Sequence, residues 1–427
     1  MATFILIGSF VVGILLRVPV ALALVISSFL TGWYLGVPLE VVGQRMLSGI
    51  NSWSLLAIPL FILAGEIMGE GGLSQRIIDF SNLLVGRLRG GLALVNVVAC
   101  MFFGGITGSA VADASSIGSI MIPMMRKKGY DKDYAVGVTI TGSIQGLIVP
   151  PSHNVILYAL AAGGVSINAL FAAGIVPGIL LCLALMTLSY VMAVRRGYPK
   201  EELPAAREWP RIIVQGILSL TVALIIIGGI LLGVFTANES AAIAVVYAFL
   251  LVFLGFRSAS LRQMHQVLVA TFYRLSAVLF LICASAAFSW FLSYLQIPDQ
   301  VMRALTSISN NRYVVLLLVN LILLLLGLMM DMAPLILIAT PILLPVVTHF
   351  GMDPVQFGIV MMLNLGIGLL HPPVGSVLFV GCTIGEISVE RMTVAMIPFL
   401  LLLFAVLMVI TYIPSVTLAL PHLLSST

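Results

Sequence analysis

The chain is predicted to be an all-α polytopic membrane protein with two inverted repeats, each holding a re-entrant helical hairpin and a discontinuous helix. Three observations predict it. Hydrophobic residues make up 61% of the 427 residues and charged residues 8%, with a mean hydropathy of +1.19. That leaves too few polar side chains to cover a water-soluble body. Two stretches offset by 222 residues share Gly105/Gly327, Pro123/Pro345, Gly129/Gly351, Asp131/Asp353, Gly146/Gly368, Pro150-Pro151/Pro372-Pro373, Gly163/Gly385 and Ser166/Ser388. Finally, long apolar runs alternate with shorter ones broken near their middles by Gly, Pro, Ser or Asp. Broken backbone at membrane depth is tolerated only where it is buried in protein or lines a cavity, so a binding site is expected at these breaks.

A bilayer core of roughly 30 Å takes about 20 helical residues, and residues 2–36, 167–193, 211–235, 239–256, 268–295 and 391–419 are long enough. Residues 1–52 are expected to form an N-terminal scaffold region. MATFILIG has no basic n-region or small-residue cleavage site, so the first run is expected to be retained. Arg17 and Pro19 lie inside it, making it one kinked helix or two short pieces. Residues 53–194 form the first repeat, with an arm helix at 71–90, a hairpin at 91–126 and a broken helix at 133–163. The arm, GGLSQRIIDFSNLLVGRLRG, spaces its apolar residues helically with Arg76, Asp79, Arg87 and Arg89 among them, the pattern of an interfacial helix. Residues 195–211 are a charged linker with three prolines, and 212–267 are further scaffold helices. The second repeat spans 268–427, with an arm helix at 297–312, a hairpin at 313–350 and a broken helix at 354–386.

Basic residues orient the plan. Arg76, Arg87 and Arg89, then Arg126, Lys127, Lys128 and Lys132, then Arg195, Arg196, Lys200, Arg207 and Arg211 fall in three short connections. These are predicted to be cytoplasmic. At the base of the second hairpin, Thr348, His349 and Phe350 replace Arg126 to Lys128, as opposite orientation of the two copies requires. The net charge of +4 reflects these loops, and no nucleic-acid partner is expected. Cys100, Cys182, Cys283 and Cys382 stand singly in apolar runs, so neither disulfides nor a thiolate metal site is expected.

The chemistry is expected at two hairpin tips, GGITGSAVADAS (Gly104 to Ser115) and GLMMDMAP (Gly327 to Pro334), carrying Asp113 and Asp331. A carboxylate near mid-membrane costs at least about 2.5 to 3.5 kcal/mol. Small residues let the backbone turn and present carbonyls, and Thr107 and Ser109 add hydroxyls, a setting suited to a hard cation such as sodium. Either acid could instead be a helix N-cap. The paired-proline breaks, QGLIVPPSHN (Gln145 to Asn154) and GIGLLHPPVG (Gly366 to Gly375), free carbonyls because proline supplies no N–H. Ser152, His153 and Asn154 follow the first break, where a half-helix would present its positive end to an anionic, hydroxylated solute. Glu239 is expected at a helix N-terminus, or else at a scaffold or partner contact.

LLAIPLFILAGEIMGEGGLSQRI (Leu55 to Ile77), GSAVADAS followed by IPMM, the VPPS break, GVFTANESAA (Gly233 to Ala242), TPILLP (Thr340 to Pro345) and the HPPVG break occur in this order. In this the chain resembles the large membrane subunit of tripartite periplasmic (TRAP) transporters over essentially its full length. The resemblance implies an elevator-type ion-transporter fold and sodium-driven import, with no cofactor beyond sodium as coupling ion. It implies a small four-helix membrane subunit (Q type), which Arg17 would face, a periplasmic substrate-binding protein (P type), a carboxylate substrate, contact with membrane lipid, and residence in the bacterial inner membrane. By motif, Thr107, Ser109, Gly146, Val149 and Pro151 match a sodium site built largely from carbonyls. Repeat symmetry adds Asp331, Gly368, His371 and Pro373 as a second, with His371 offering its ring nitrogen or its carbonyl. The substrate set is Ser109, Asp113, Ser152, His153, Asn154 and Asn364. His371 stands where the family usually has Thr, and Ala237 and Asn238 where Pro-Thr is usual, so the second sodium site is the less well matched. The polar run after the first break favours a sugar acid such as sialic acid over a plain dicarboxylate. Rival classes are a self-sufficient sodium/carboxylate symporter, a proton-coupled antiporter using the same acids, and an intramembrane aspartyl protease pairing Asp113 with Asp331.

Overall fold

The structure, a computed structural model, describes residues 1–201 and 204–425. Glu202 and Leu203 of the expected linker lie outside the described residues. Among those described there is no strand beyond an isolated bridge between Arg89 and Lys200. The helices in the first half are α1 (Ala2–Leu15), α2 (Val20–Leu35), α3 (Leu39–Ile50), α4 (Ala57–Glu70), α5 (Leu73–Val85), α6 (Gly91–Thr107), α7 (Ala110–Lys127), α8 (Lys132–Ser143), α9 (Gln145–Ile148), α10 (His153–Ala162) and α11 (Ile167–Arg195). The second half holds α12 (Trp209–Leu231), α13 (Ala237–Leu250), α14 (Leu261–Tyr294), α15 (Ile297–Ile308), α16 (Arg312–Met329), α17 (Met332–His349), α18 (Pro354–Gly368), α19 (Ser376–Gly385), α20 (Val389–Ala395), α21 (Ile397–Tyr412) and α22 (Pro414–Ser425). Among the described residues six helices are long and apolar enough to cross a membrane, or up to eight if each of two bent pairs is one span.

The hairpins and broken helices fall where Gly and Pro punctuate the sequence, while one alternative is decided and two expectations change. The run 2–36 is two short helices, because Arg17 adopts a φ of 60° and Pro19 starts a new helix, and α1 packs back against α2. The boundary drawn at 267/268 falls inside α14, whose N-terminus is set earlier by a capping box between Ser260 and Gln263. The run 391–419 is divided: α20 and α21 meet at 54°, and Ile413 separates α21 from α22. As expected of an arm, α5 turns away from α4 by 74° at Gly71-Gly72. Glu239 forms a capping box with Thr236, its carboxylate accepting the Thr236 N–H at 2.8 Å.

The element contacts make the repeat inverted. Hairpin α6–α7 has its base beside the basic linker, where the Gly90 N–H donates to the Pro199 carbonyl at 3.0 Å. At that end Arg126 and Lys132 pair with Glu386, just beyond α19, and Arg196 pairs with Asp131 and Asp133. The Tyr198 hydroxyl and the Arg196 guanidinium hold the Asp131 carboxyl below the usual carboxylate range. All three basic connections therefore gather at one end of the molecule. Hairpin α16–α17 opens at the other end: α10 packs along α17, and the Tyr158 hydroxyl donates to the carbonyl of Pro354, just past that hairpin's base, at 2.5 Å. In the mirrored relation α19 packs along α7. Each hairpin thus lies on the other repeat's half-helix, and residues of both tips line one cavity.

The helices before the breaks form the core. From Tyr134 to Ser143 in α8, and from Gln356 to Gly368 in α18, every residue is buried. Each is tied to its hairpin's first arm by a buried asparagine. Asn96 of α6 donates to Thr139 at 2.6 Å, and Asn364 of α18 donates to the carbonyl and side-chain oxygen of Asn320 of α16 at 3.0 and 2.8 Å. Asn320 in turn donates to Thr411 of α21 at 3.2 Å. Inter-helix hydrogen bonds in membranes contribute about 0.6 kcal/mol on average, up to about 1.7. Asn364→Leu is accordingly expected to lower the thermal midpoint of the purified protein by a few degrees, roughly 1 kcal/mol, and to leave the KM of uptake unchanged. A raised KM at unchanged stability would return Asn364 to the substrate.

Candidate functional site

A cavity of about 600 Å³ lies at the hairpin tips. Its lining comes from α4 and α14, from the first tip and the start of α10, and from Asp331, Met332 and Ala333 of the second tip. Under the 222-residue offset Asp331 is the counterpart of Ser109, not of Asp113. Both are N-caps: Ser109 accepts the Ala112 N–H at 3.4 Å, and Asp331 accepts the Met332 N–H at 2.9 Å. Both also line the cavity. Asp331 therefore has the capping role open to either acid, and its exposed position leaves it available to a ligand.

Asp113 sits differently. It is fully buried in the first turn of α7 and does not line the cavity. The Thr107 hydroxyl donates to its Oδ1, while Oδ2 has no hydrogen-bond partner among the described residues. Around it the tip closes on the first helix break. A methyl group on Gly146 would lie 2.4 Å from Asp113 Oδ2, and one on Gly108, which turns the tip at a φ of 63°, would lie 3.1 Å from the Pro151 carbonyl oxygen. Asn154 donates to the Gly108 carbonyl at 3.3 Å, fastening α10 to the tip. The carbonyls of Gly146, Val149 and Pro151 accept no hydrogen bond among the described residues: Pro150 has no N–H to offer Gly146, and the extended backbone at Val149 and Ser152 takes the other two out of the helical ladder. Asp113, expected with the substrate residues, thus belongs with Thr107, Gly146 and Pro151 behind the tip. Burial also removes it from any proteolytic pair with the exposed Asp331.

The second break is built otherwise. Gly368 touches Gly327, but the Gly368 carbonyl accepts the His371 N–H at 3.2 Å and the His371 carbonyl accepts the Gly375 N–H at 3.1 Å. The His371 ring nitrogen Nδ1 lies 2.8 Å from the Pro372 carbonyl. Gly368, His371 and Pro373 do not line the cavity, so Asp331 stands apart from them on its wall. Of the expected substrate residues, Ser109, His153 and Asn154 line the cavity. Ser152 is fully buried and its hydroxyl has no partner among the described residues, and Asn364 is fully buried on Asn320. Sequence reasoning overlooked Glu66 and Glu70 of α4 and Arg274 of α14, all on the cavity wall. Glu66 and Arg274 are ion-paired. The available signal was one arginine inside the apolar run 268–295.

Two hairpins whose tips line one cavity, with paired helix breaks, define an inverted-repeat membrane transporter. Residues 7–416 match the family model described as the DctM component of the tripartite ATP-independent periplasmic transporter. The chain is 42% identical to the Salmonella typhimurium protein named "Uncharacterized protein YgiK" over 98% of this chain and 97% of that one. It is 38% identical to the sialic acid TRAP transporter large permease SiaM of Vibrio cholerae, over 95% and 93% of the two chains. It is 34% identical to the C4-dicarboxylate TRAP transporter large permease DctM of Rhodobacter capsulatus, over 91% of each. In three dimensions it is similar to the Alcanivorax borkumensis YdaH transporter, with a TM-score of 0.63 over 87% of this chain and 88% of that one; at 15% identity the likeness concerns the fold alone. The chain belongs to the DctM family: it is a TRAP transporter large permease subunit, a multi-pass membrane protein and not an enzyme.

Proposed function

We propose that this permease imports a carboxylate solute, a sugar acid such as sialic acid, using the sodium gradient across the bacterial cytoplasmic membrane. The solute is delivered by a periplasmic binding protein, and a small four-helix membrane subunit completes the assembly. One observation carries the sodium reading: a fully buried carboxylate, one oxygen of which has no partner among the described residues, packs against Gly146 at a helix break whose carbonyls are unbonded. An ionised carboxylate removed from water without a counter-charge is costly, and a hard cation with oxygen ligands offsets that cost. Thr107, Asp113, Gly146, Val149 and Pro151 would hold the ion.

The cavity volume suits a small organic anion, and relatives named for sialic acid and for C4-dicarboxylates have carboxylate chemistry in common. His153 and Asn154 on the wall favour a hydroxylated member of that class. Because the cavity lies where α4 and α14 meet the body carrying both tips, sliding of that body along them would carry solute and ion together, an elevator. The test is uptake of radiolabelled sialic acid into proteoliposomes holding this chain, its small subunit and the binding protein, with and without an inward sodium gradient. Uptake is expected to require all three proteins and sodium. Transport by this chain alone would make it a self-sufficient symporter, and sodium-independent uptake would remove the coupling.

A further inference from the structure

Among the described residues Arg274 is the only Lys or Arg on the cavity wall, which also carries Glu66, Glu70 and Asp331. It lies inside α14, a helix apolar enough to span a membrane, where an arginine is costly to keep. Nη1 bonds Glu66 Oε1, and no other hydrogen bond is recorded for the guanidinium among the described residues. The Arg274 side chain is 58% exposed and that of Glu66 18%. An ion pair this open contributes little to stability, so clasping α4 to α14 does not by itself account for a membrane-depth arginine. A guanidinium presents five N–H donors in a planar fork matched to carboxylates. Glu66 engages one edge of that fork, orients it and leaves the rest facing the cavity shared by Ser109, His153, Asn154 and Asp331.

We infer that Arg274 is the residue that recognises the substrate's carboxylate, contributed by α14 to the cavity that the hairpin tips also line, and that Glu66 both aims it and moderates its affinity for anions. The inference rests on a carboxylate being the transported solute. It explains how a cavity with three carboxylates on its wall admits an anion, and gives the two members of one ion pair opposite roles. Glu66 repels the incoming carboxylate while holding the guanidinium that attracts it.

The test is a KM and kcat comparison in proteoliposomes of the full assembly, using N-acetylneuraminate and then a panel of C4-dicarboxylates and other sugar acids, with methyl esters as competitors. Arg274→Gln is expected to raise KM by roughly tenfold to a hundredfold, the worth of a charge-assisted hydrogen bond, and to abolish the preference for the free acid over its ester. Glu66→Gln keeps an acceptor for Arg274 but removes the negative charge, and is expected to lower KM several-fold. Arg274→Lys, keeping the charge without the fork, should fall between wild type and Arg274→Gln, and serves if the glutamine variant does not fold. Shifts of KM in the same direction for the Glu66 and Arg274 variants would make the pair a helix clasp and overturn the inference. Wild-type KM and wild-type ester discrimination in Arg274→Gln would overturn it while leaving carboxylate transport standing. If the wild-type assembly moves no carboxylate in the panel, the functional proposal fails, and this inference fails with it.

Discussion

Asp113→Asn is expected to abolish stimulation of uptake by sodium while leaving the folded protein intact. Asparagine has the same shape and its carbonyl still accepts the Thr107 hydroxyl, so the contact fixing the tip survives. What disappears is a negative charge that no protein cation within ion-pair distance offsets among the described residues. Removing one partner of a buried ionic contact costs about 3 to 5 kcal/mol, a loss in cation affinity of roughly a hundredfold or more. Thermal unfolding gives a readout independent of transport. Sodium at about 100 times its Kd stabilises a protein that binds it by about 2.7 kcal/mol, so the wild-type midpoint should rise when sodium replaces a bulky organic cation, and that of Asp113→Asn should not. Without sodium the variant should be at least as stable as wild type, having lost an uncompensated charge. A preserved sodium shift in Asp113→Asn would sink the site assignment. Asp331→Ala separates the two acids: it removes an exposed cap on the cavity wall, and is expected to abolish uptake while the sodium shift persists.

That division was half legible in the sequence. Glycine and proline leave marks that composition does not dilute: the two helix pairs run from Gly91 to Lys127 and from Arg312 to His349, and the hairpins were expected at 91–126 and 313–350. Both broken helices were placed by their proline pairs. The same offset aligns Asp331 with Ser109, and so already implied that the two aspartates differ in role. Which face of α7 Asp113 occupies is a matter of packing: it is buried because Gly104 and Gly146 bring two backbones together there. Arg274 and Glu66 lie 208 positions apart on helices that only the fold makes neighbours, so no spacing rule could join them. The second break likewise depends on how the chain folds locally. Its prolines free carbonyls as the first pair does, but the turn Leu370 to Gly375 uses those of Gly368 and His371 itself.

The difference between the breaks can be tested with two methyl groups. A β-carbon on Gly146 would lie 2.8 Å from the Gly104 Cα as well as against Asp113, and one on Gly368 would lie 2.8 Å from the Gly327 carbonyl oxygen. In both places the obstruction includes backbone, which cannot rotate aside, and small residues that let helices approach this closely are what membrane packing relies on. Gly146→Ala and Gly368→Ala are therefore each expected to destabilise the protein by about 1 to 3 kcal/mol, the range for overpacking. Gly228→Ala is the control: nothing lies within 4 Å of its added carbon, and replacing a helix-interior glycine with alanine should be neutral or stabilising by about 0.5 to 1 kcal/mol. The two destabilised variants should then part company over sodium. Gly146→Ala pushes the tip away from the break and separates Asp113 from the freed carbonyls, so its sodium-dependent thermal shift should vanish. Gly368→Ala disturbs a contact with no carboxylate in it, so its midpoint should fall while the shift remains. Equal loss of the shift in both would mean that the second break holds sodium too, despite its occupied carbonyls. Its retention in Gly146→Ala would move the ion away from the first tip altogether.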